Sequence, residues 1–374
     1  ILDQRAAEVP FEKLGFSPEV AGAIDSCLGA PQGIVLVTGP TGSGKTTTLY
    51  SVLNKTRSES TNIVTVEDPI EYKLAGINQV QVNEKQGLTF SGVLRSVLRQ
   101  DPDVIMVGEI RDRETADIAF QAAMTGHMVF STLHTNDTVS AVSRLVDMGV
   151  DRFKISPGLL AVTAQRLVRR LCPACARQVP EGEANPELLA AMAGYGFKRA
   201  LYKSVGCKNC EGTGYAGRTS IVEVLTVTPH VRDLINSGAT DAELTRLAVE
   251  DKALRTMTCD ALWALSEGRT DLPEAAPYIS LGAQPSARGR QEPAPAPPAA
   301  VRTAEPQPSP AKPGGAAAGK RPRVLVADDD KILRMLMRKF IESSGYEAAE
   351  AADGEAALAA IAETEPDLLV TDLH

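Results

Sequence analysis

Short runs of β-branched and apolar residues alternate with helix-like stretches along the first 170 residues of the chain. Four of these runs have the length and composition of buried strands: GIVLVTG (33–39), NIVTVED (62–68), DVIMVGEI (103–110) and HMVFSTLH (127–134). Strands that alternate with helices are typical of an α/β fold with a mostly parallel sheet. The pattern therefore predicts an α/β domain over residues 1–170.

The pattern changes after this domain. Residues 171–282 contain turns rich in Cys and Gly, a strand-like TSIVEVL and helical stretches, which predicts a second, smaller unit. Residues 283–320 are rich in Pro and Ala and almost lack large apolar side chains, so we expect a disordered linker there. Residues 321–374 resume an order of strand, helix, strand, helix and strand, which predicts the first part of another α/β domain.

The composition of the 374-residue chain narrows the possible functions. Its formal net charge is −8, whereas a long nonspecific nucleic-acid surface requires clustered Lys and Arg, so no nucleic-acid partner is expected. The apolar runs are shorter than the ~18 residues of a membrane span. We therefore expect a soluble protein of two or three domains.

The stretch GPTGSGKTTT, residues 39–48, fits the phosphate-loop pattern G-x-x-x-x-G-K-[ST] between a predicted strand and a predicted helix. Small residues allow backbone N–H groups to surround a phosphate, Lys45 supplies a charge for the β- and γ-phosphates, and the Thr46 hydroxyl holds Mg²⁺. We therefore predict ATP and Mg²⁺ as cofactors. The predicted nucleotide-binding residues are Gly39, Pro40, Thr41, Gly42, Ser43, Gly44, Lys45, Thr46 and Thr47.

Carboxylates follow two of the predicted strands. Glu109 follows one of them, with Gly108 at the position where a magnesium-binding Asp often lies, and Glu67 lies at the end of another. Because the carboxyl ends of parallel strands meet at one edge of a sheet, we expect Glu109 to polarise the attacking water and Glu67 to support magnesium or water. Asp68 and Glu71 remain open between ligands and solvated loop charges.

Two histidines flank the strand HMVFSTLH. His134 lies at its carboxyl end, where it could sense the γ-phosphate, and it joins Lys45, Glu67 and Glu109 as a candidate catalytic residue. His127 remains open between packing and catalysis, because a lone His on a strand is often a satisfied packing residue.

Four cysteines form two C-x₂-C pairs, Cys172 with Cys175 and Cys207 with Cys210, separated by 31 residues. Two such pairs beside turn residues are typical of a tetrahedral thiolate site for zinc. Paired disulfides are the alternative, which the reducing cytosol expected of an ATP-using protein disfavours. We therefore predict one structural Zn²⁺ bound by the four thiolates.

The last segment also carries acidic residues after strands. Asp328 and Asp329 follow RVLVA, and Asp372 follows DLLVT. Three carboxylates around Mg²⁺ would allow Asp372 to accept a phosphoryl group, and a solvated acidic turn is the alternative. The segment resembles the first half of a response-regulator receiver domain, which implies three of the five strands of a flavodoxin-like fold and a histidine kinase as partner.

Four motifs occur in an order that resembles the secretion ATPases, the motors of type II secretion and type IV pilus assembly. GIVLVTGPTGSGKTTTLYSVL, IVTVEDPIEY, QVNEKQGLTFSGVLRSVLRQDPDVIMVGEIRD and TGHMVFSTLHTNDTVSAVSRLVDMG resemble the Walker A motif, Asp box, Walker B motif and His box of that family. The resemblance covers residues 1 to about 282. It implies a RecA-like P-loop ATPase core, a zinc-containing tetracysteine subdomain and further domains before Ile1.

The resemblance also implies partners and a location. Members of the family are hexameric ATPases at the cytoplasmic face of the inner membrane, where they act with a membrane platform protein and a cytoplasmic docking protein. Arginines acting in trans are expected of such rings, and Arg111 and Arg144 are candidates. The tetracysteine motif favours pilus extension or export over retraction.

Two other classes of function remain open on the sequence. One is a signalling or interaction protein that nucleotide only switches, with the receiver segment as its effector. The other is a DNA-transfer motor, since related ring ATPases serve DNA transfer. Intact Lys45, Thr46 and Glu109 favour a hydrolysing motor, and the acidic charge disfavours DNA. The motifs do not separate type II secretion from pilus assembly.

Overall fold

The computed structural model describes residues 9–281 and parts of the last segment. The described parts of that segment are 323–327, 334, 338, 341–342, 346–353, 356–357, 360–361 and 366–371. The chain divides into two compact units, Ile1–Arg290 and Gln291–His374. The predicted linker and the predicted acidic residues Asp328, Asp329 and Asp372 lie outside the described residues.

A twisted sheet forms the centre of the first unit. The strands described in this unit are β1 (Gly33–Thr38), β2 (Ile63–Glu67), β3 (Asn78–Gln81), β4 (Val104–Val107), β5 (Met128–Leu133), β6 (Leu159–Leu171), β7 (Arg177–Gln178), β8 (Tyr202–Lys203), β9 (Tyr215–Thr226) and β10 (Leu254–Arg255). Eight of them form one sheet in the order β10-β9-β6-β1-β5-β4-β2-β3. The six strands from β6 to β3 are parallel, whereas β9 is antiparallel to β6 and β10 to β9.

Helices cover both faces of this sheet. They are α1 (Pro18–Leu28), α2 (Lys45–Thr56), α3 (Phe90–Val97), α4 (Arg113–Met124), α5 (Thr138–Asp147), α6 (Arg152–Gly158), α7 (Pro186–Gly194), α8 (Pro229–Ser237), α9 (Asp241–Glu250), α10 (Met257–Ser266) and α11 (Leu272–Ala275). Ile34 and Leu36 of β1 belong to one buried cluster, and Val35 and Val37 belong to another. Successive side chains of a strand point to opposite faces, so β1 lies between two cores and is apolar throughout.

Polar side chains define where several helices begin. Asp112 accepts a hydrogen bond from the Thr115 N–H at 2.8 Å before α4, and Asp137 accepts one from the Ser140 N–H at 2.7 Å before α5. These side chains satisfy N–H groups that have no partner within the helix.

Among the described residues, no helix is long and apolar enough to cross a membrane.

The structure confirms the α/β class and the mostly parallel sheet. The four strands predicted from apolar runs are present as β1, β2, β4 and β5. The predicted smaller unit over 171–282 contributes β9 to this main sheet, because β9 pairs with β6 from Ala161↔Thr226 to Leu171↔Tyr215. The division at residue 170 stays a prediction.

The described part of the second unit contains a parallel sheet. Its strands are β11 (Arg323–Ala327), β12 (Glu347–Ala351) and β13 (Leu368–Thr371), in the order β12-β11-β13. The central strand, β11, is paired on both sides, and its residues Val324, Leu325, Val326 and Ala327 are buried. This order is that of the first three strands of a flavodoxin-like sheet.

A buried carboxylate joins distant parts of the first unit. Asp260 in α10 is fully buried; its Oδ1 accepts hydrogen bonds from the Ser17 hydroxyl at 2.6 Å and from Arg255 Nε at 3.4 Å. Its Oδ2 accepts one from the Val222 N–H of β9 at 2.9 Å. Burial raises the pKa of this carboxyl, and the hydrogen bonds and Arg255 oppose that rise. Asp260 therefore fixes the segment before α1 against β9.

We expect Asp260→Ala to lower the free energy of unfolding by about 2–5 kcal/mol, because it leaves the donors of Ser17 and Val222 buried without their acceptor. Urea unfolding midpoints measure this effect. Asp233→Ala, at an exposed position of α8, is the matched control and should change the free energy by less than about 0.5 kcal/mol. Equal midpoints for the two variants would contradict the role of Asp260.

Candidate nucleotide site

A cleft of about 570 Å³ lies at the carboxyl ends of β1, β2, β4 and β5. Ligands of open α/β sheets bind at this edge of the sheet. Ten of the twelve predicted nucleotide-binding and catalytic residues line the cleft, namely Thr41, Gly42, Ser43, Gly44, Lys45, Thr46, Thr47, Glu67, Glu109 and His134, whereas Gly39 and Pro40 are not among its lining residues. The structure thus brings together groups that are up to 93 positions apart, from Thr41 to His134.

The phosphate loop, residues 39–44, connects β1 to α2. Gly39 and Gly44 have φ values of 144° and 88°, which L side chains rarely adopt. A Cβ atom at Gly39 would lie 2.6 Å from the carbonyl oxygen of Gln165, and one at Gly44 would lie 2.9 Å from Gln165 Nε2. Both the backbone conformation and the close approach of β6 therefore require glycine at these positions. The loop leads directly into the N-terminus of α2, where backbone N–H groups favour an anion.

Lys45 lies at the mouth of this loop. Its Nζ donates hydrogen bonds to the carbonyl oxygens of Gly39 at 2.8 Å and Pro40 at 3.2 Å. Burial lowers the pKa of Lys45, and the negative charge of Glu109 opposes that shift. Thr46 is half-buried in the first turn of α2 and lines the cleft. A cation and a hydroxyl are therefore placed next to the loop's backbone.

Glu109 and His134 lie side by side, although they follow different strands. The Glu109 side chain is 13% exposed, and its Oε2 lies 3.5 Å from His134 Nε2. The other oxygen, Oε1, lies 2.5 Å from Nη2 of Arg111, an ion pair that raises the pKa of the arginine. Arg111 therefore has a partner within its own chain, while Arg144 is exposed on α5.

Glu67 is buried at the end of β2 and is held by three donors. It accepts hydrogen bonds from the Tyr50 hydroxyl at 2.5 Å, from Thr65 Oγ1 at 2.6 Å and from Gln79 Nε2 at 3.0 Å. Burial and the bond to Glu67 raise the pKa of Tyr50. The carboxylate is thus fixed in one orientation at the wall of the cleft.

Of the remaining candidates, Asp68 and Glu71 lie at the cleft, and His127 lies at the opposite edge of the sheet. Asp68 and Glu71 are exposed and line the cleft. His127 precedes β5, at the end of the strand opposite to His134, and its Nδ1 lies 3.1 Å from the Ala122 carbonyl oxygen. His127 is therefore a packing residue in this structure.

Sequence reasoning missed several residues around the cleft, among them Gln165 and Leu167 of β6 and Arg218 of β9. Gln165 is 3% exposed and binds the phosphate loop, while Leu167 and Arg218 line the cleft. No short sequence motif identifies these residues, because β6 and β9 come close to the phosphate loop only after they pair in the sheet. The one local signal was a glutamine within the apolar run that precedes the first cysteine pair.

The four cysteines form a cluster at the ends of β6 and β9. All four Sγ atoms lie within 4.8 Å of one another, with separations of 3.7 Å for Cys207 and Cys210, 3.8 Å for Cys175 and Cys210, and 4.0 Å for Cys172 and Cys207. A tetrahedral zinc ion with Zn–S bonds of about 2.3 Å has S···S edges of about 3.8 Å. The cluster is therefore compatible with a zinc site.

Backbone N–H groups also point at the cluster. Those of Cys207 and Gly214 each lie 3.2 Å from Cys210 Sγ. Burial raises the pKa of Cys210, but these donors and the neighbouring thiols outweigh it and lower the pKa to about 6, whereas burial and the neighbouring thiols raise the pKa of Cys175 to about 11. Thiolate is the form that a metal ion requires.

Comparisons of the sequence with known families agree with this geometry. Residues 1–277 match the family described as type II/IV secretion system protein, and residues 324–374 match the response regulator receiver domain. The chain is 47% identical over 274 residues to the type II secretion system protein HxcR of Pseudomonas aeruginosa, covering 73% of this chain and 54% of that protein. It is also 47% identical over 278 residues to the type IV pilus assembly ATPase PilB of Thermus thermophilus, covering 72% and 30%.

The first unit is also similar in structure to solved ATPases. The crystal structure of the pilus retraction motor PilT with bound ADP is similar with a TM-score of 0.54 and 29% identity, covering 74% of this chain and 68% of that chain. The ATPase DotB of Legionella pneumophila shares the fold, with a TM-score of 0.52 and 24% identity over 72% of this chain and 64% of that chain.

The chain spans about half the length of HxcR and a smaller part of PilB. The family match covers the whole α/β sheet, the cleft and the cysteine cluster, and the receiver match covers the strands of the second unit. The chain therefore belongs to the type II/IV secretion system protein family and carries a receiver-domain segment after it.

Proposed function

We propose that the chain is the ATP-hydrolysing part of a motor that powers type II secretion or type IV pilus assembly. The observation that carries this proposal is the convergence of Lys45, Thr46 and Glu109 at one cleft beside a phosphate loop. A cation, a metal-binding hydroxyl and a carboxylate at the γ-phosphate end are the parts that phosphoryl transfer to water requires.

Each residue has a distinct role in this proposal. Residues 39–47 surround the phosphates, with every residue except Pro40 offering a backbone N–H group, and Lys45, whose Nζ contacts the Gly39 and Pro40 carbonyl oxygens, binds the β- and γ-phosphates. Thr46 would hold Mg²⁺, which when bound neutralises charge that develops on the phosphates. Glu109 orients the water and accepts its proton, because its Oε2 lies 3.5 Å from His134 Nε2 and its negative charge acts on Lys45.

The neighbours of the two carboxylates keep them in place. Arg111 and His134 contact opposite oxygens of Glu109, so a γ-phosphate that reaches His134 also reaches the proposed base. Glu67, fixed by Tyr50 and Gln79, supports magnesium or water from the neighbouring strand. A rigid acceptor requires no reorganisation during the reaction.

The wider assembly follows from the family. We propose a homo-hexamer that is cytoplasmic and peripheral at the inner membrane, with a membrane platform protein and a cytoplasmic docking protein as partners. Residues 1–170 would form the ATPase core, 171–282 the zinc-binding and helical subdomain, 283–320 a linker and 321–374 the first part of a receiver. In a complete receiver domain, a histidine kinase would act through Asp372, with Asp328 and Asp329 holding Mg²⁺.

The two proposed chemical roles in the cleft can be separated. We expect Lys45→Ala to abolish ATP binding, because it removes the charge on the phosphates, and Glu109→Gln to keep binding but lower turnover by about 10²–10⁴-fold. Nucleotide affinity and steady-state hydrolysis are to be measured separately for each variant. If Glu109→Gln hydrolyses ATP near the parent rate, Glu109 is not the base and Glu67 takes its place.

The cysteine cluster should hold one zinc per chain. We expect Cys207→Ser to lose most of the metal, whereas Cys259→Ser, at a buried cysteine of α10 outside the cluster, should keep it. Metal analysis of reduced protein gives the result. A full complement of zinc in Cys207→Ser, or none in the parent, would contradict the assignment.

Removing the zinc should have a local effect. Residues 172–214 should lose protection from hydrogen exchange on chelation, because this segment contributes little to the main sheet. Residues 215–226 should keep theirs, because β9 is paired with β6. Loss of protection throughout β1 and α2 would show that the metal supports the whole fold instead.

A further inference from the structure

Gln165 is a buried polar residue that contacts both ends of the turn from the phosphate loop into α2. Its Nε2 donates a hydrogen bond to the carbonyl oxygen of Ser43 at 2.8 Å, and its Oε1 accepts one from the Thr48 hydroxyl at 2.8 Å. Gln165 is 3% exposed, and its backbone carbonyl oxygen would lie 2.6 Å from a Cβ atom at Gly39. Gln165 therefore lies close to the first residue of the loop, Gly39, and binds both Ser43 near the end of the loop and Thr48 in α2.

The bond to Ser43 determines the direction of a peptide group. In a trans peptide the C=O and the following N–H point in opposite directions. Because Gln165 holds the Ser43 C=O towards β6, the N–H of Gly44, a residue that lines the cleft, is directed away from β6. A rotated peptide would instead present a carbonyl dipole to an incoming phosphate, which repels an anion.

The bond from Thr48 fixes the amide of Gln165 itself. With Oε1 occupied by the Thr48 hydroxyl, only the NH₂ group can face the Ser43 carbonyl. Thr48 is the fourth residue of α2 and is 2% exposed, so its hydroxyl cannot exchange this partner for solvent without opening the core. The two hydrogen bonds of Gln165 therefore link the orientation of the Ser43 carbonyl in the loop to the position of Thr48 in α2.

We propose that Gln165 is the positioning residue of the phosphate loop: it holds the peptide between Ser43 and Gly44 in the orientation that binds phosphate. This assignment rests on the proposed nucleotide site and adds a residue from outside the loop to it. Gln165 does not touch the reacting atoms and acts on affinity through the loop.

The test compares two variants with one control. Gln165→Met keeps a similar volume but removes both hydrogen bonds, and Thr48→Val removes the hydroxyl that orients the amide. We expect Kd for fluorescently labelled ADP, and KM for ATP, to rise about tenfold in the first variant and less in the second. The kcat at saturating ATP should stay within about threefold, because ground state and transition state lose the same donor.

Control variants separate a specific effect of Gln165 on ADP affinity from a general loss of stability in β6. Thr163→Val, at another buried residue of β6 with a hydroxyl bond to the Leu36 carbonyl, should leave Kd for ADP unchanged. Thr48→Ser keeps the hydroxyl and should restore the parent affinity. The double variant Gln165→Met with Thr48→Val should bind ADP no more weakly than Gln165→Met alone, because both changes remove the same arrangement.

Binding of ADP within twofold of the parent by folded Gln165→Met would overturn the assignment. If that variant does not fold, equal ADP affinities for Thr48→Val and Thr48→Ser overturn it, and a weaker affinity for Thr48→Val alone supports it. A parent protein that binds ADP without hydrolysing ATP contradicts the proposed function but not this assignment, which the ADP affinities test directly.

Discussion

The parallel pairing of β1 between β5 and β6 determines where every group of the cleft lies. Thr38 pairs with Leu133 at the end of β5 and with Ala164 in the middle of β6, so the chain after β1 leaves the sheet between these two strands. His134 follows directly from β5, and Gln165 follows Ala164 on β6. Because β4 pairs with the other side of β5, Glu109 reaches the same edge. The phosphate loop therefore meets a carboxylate, a histidine and a buried amide at one place.

Local patterns in the sequence predicted much of this arrangement. The apolar runs predicted β1, β2, β4 and β5, and the phosphate-loop spacing predicted a turn between β1 and a helix. What no pattern predicted depends on partners distant in sequence: Tyr50 and Gln79 around Glu67, and the contact of Gln165 with the loop. Such contacts arise only when the sheet forms, because strand order is decided by packing of whole elements and not by the residues of one strand.

Two strands, β6 and β9, connect the cysteine cluster to the cleft. β6 runs from Gln165 at the loop to Leu171, immediately before Cys172, and β9 begins at Tyr215, after the second cysteine pair. Their antiparallel pairing keeps both cysteine pairs at one end of a continuous ribbon. A change at the cluster would therefore have to pass along two long, paired strands to reach the phosphate loop, which is consistent with a structural metal.

The most direct measurement of the central claim is hydrogen–deuterium exchange with and without ADP and Mg²⁺. The account predicts slower exchange on nucleotide addition at residues 39–48, at 108–111 and at His134, because residues of these segments line the cleft. Exchange at 172–214 should not change. Protection at the cysteine segment alone, or no protection of the phosphate loop at saturating ADP, would contradict the claim that this edge of the sheet is the nucleotide site.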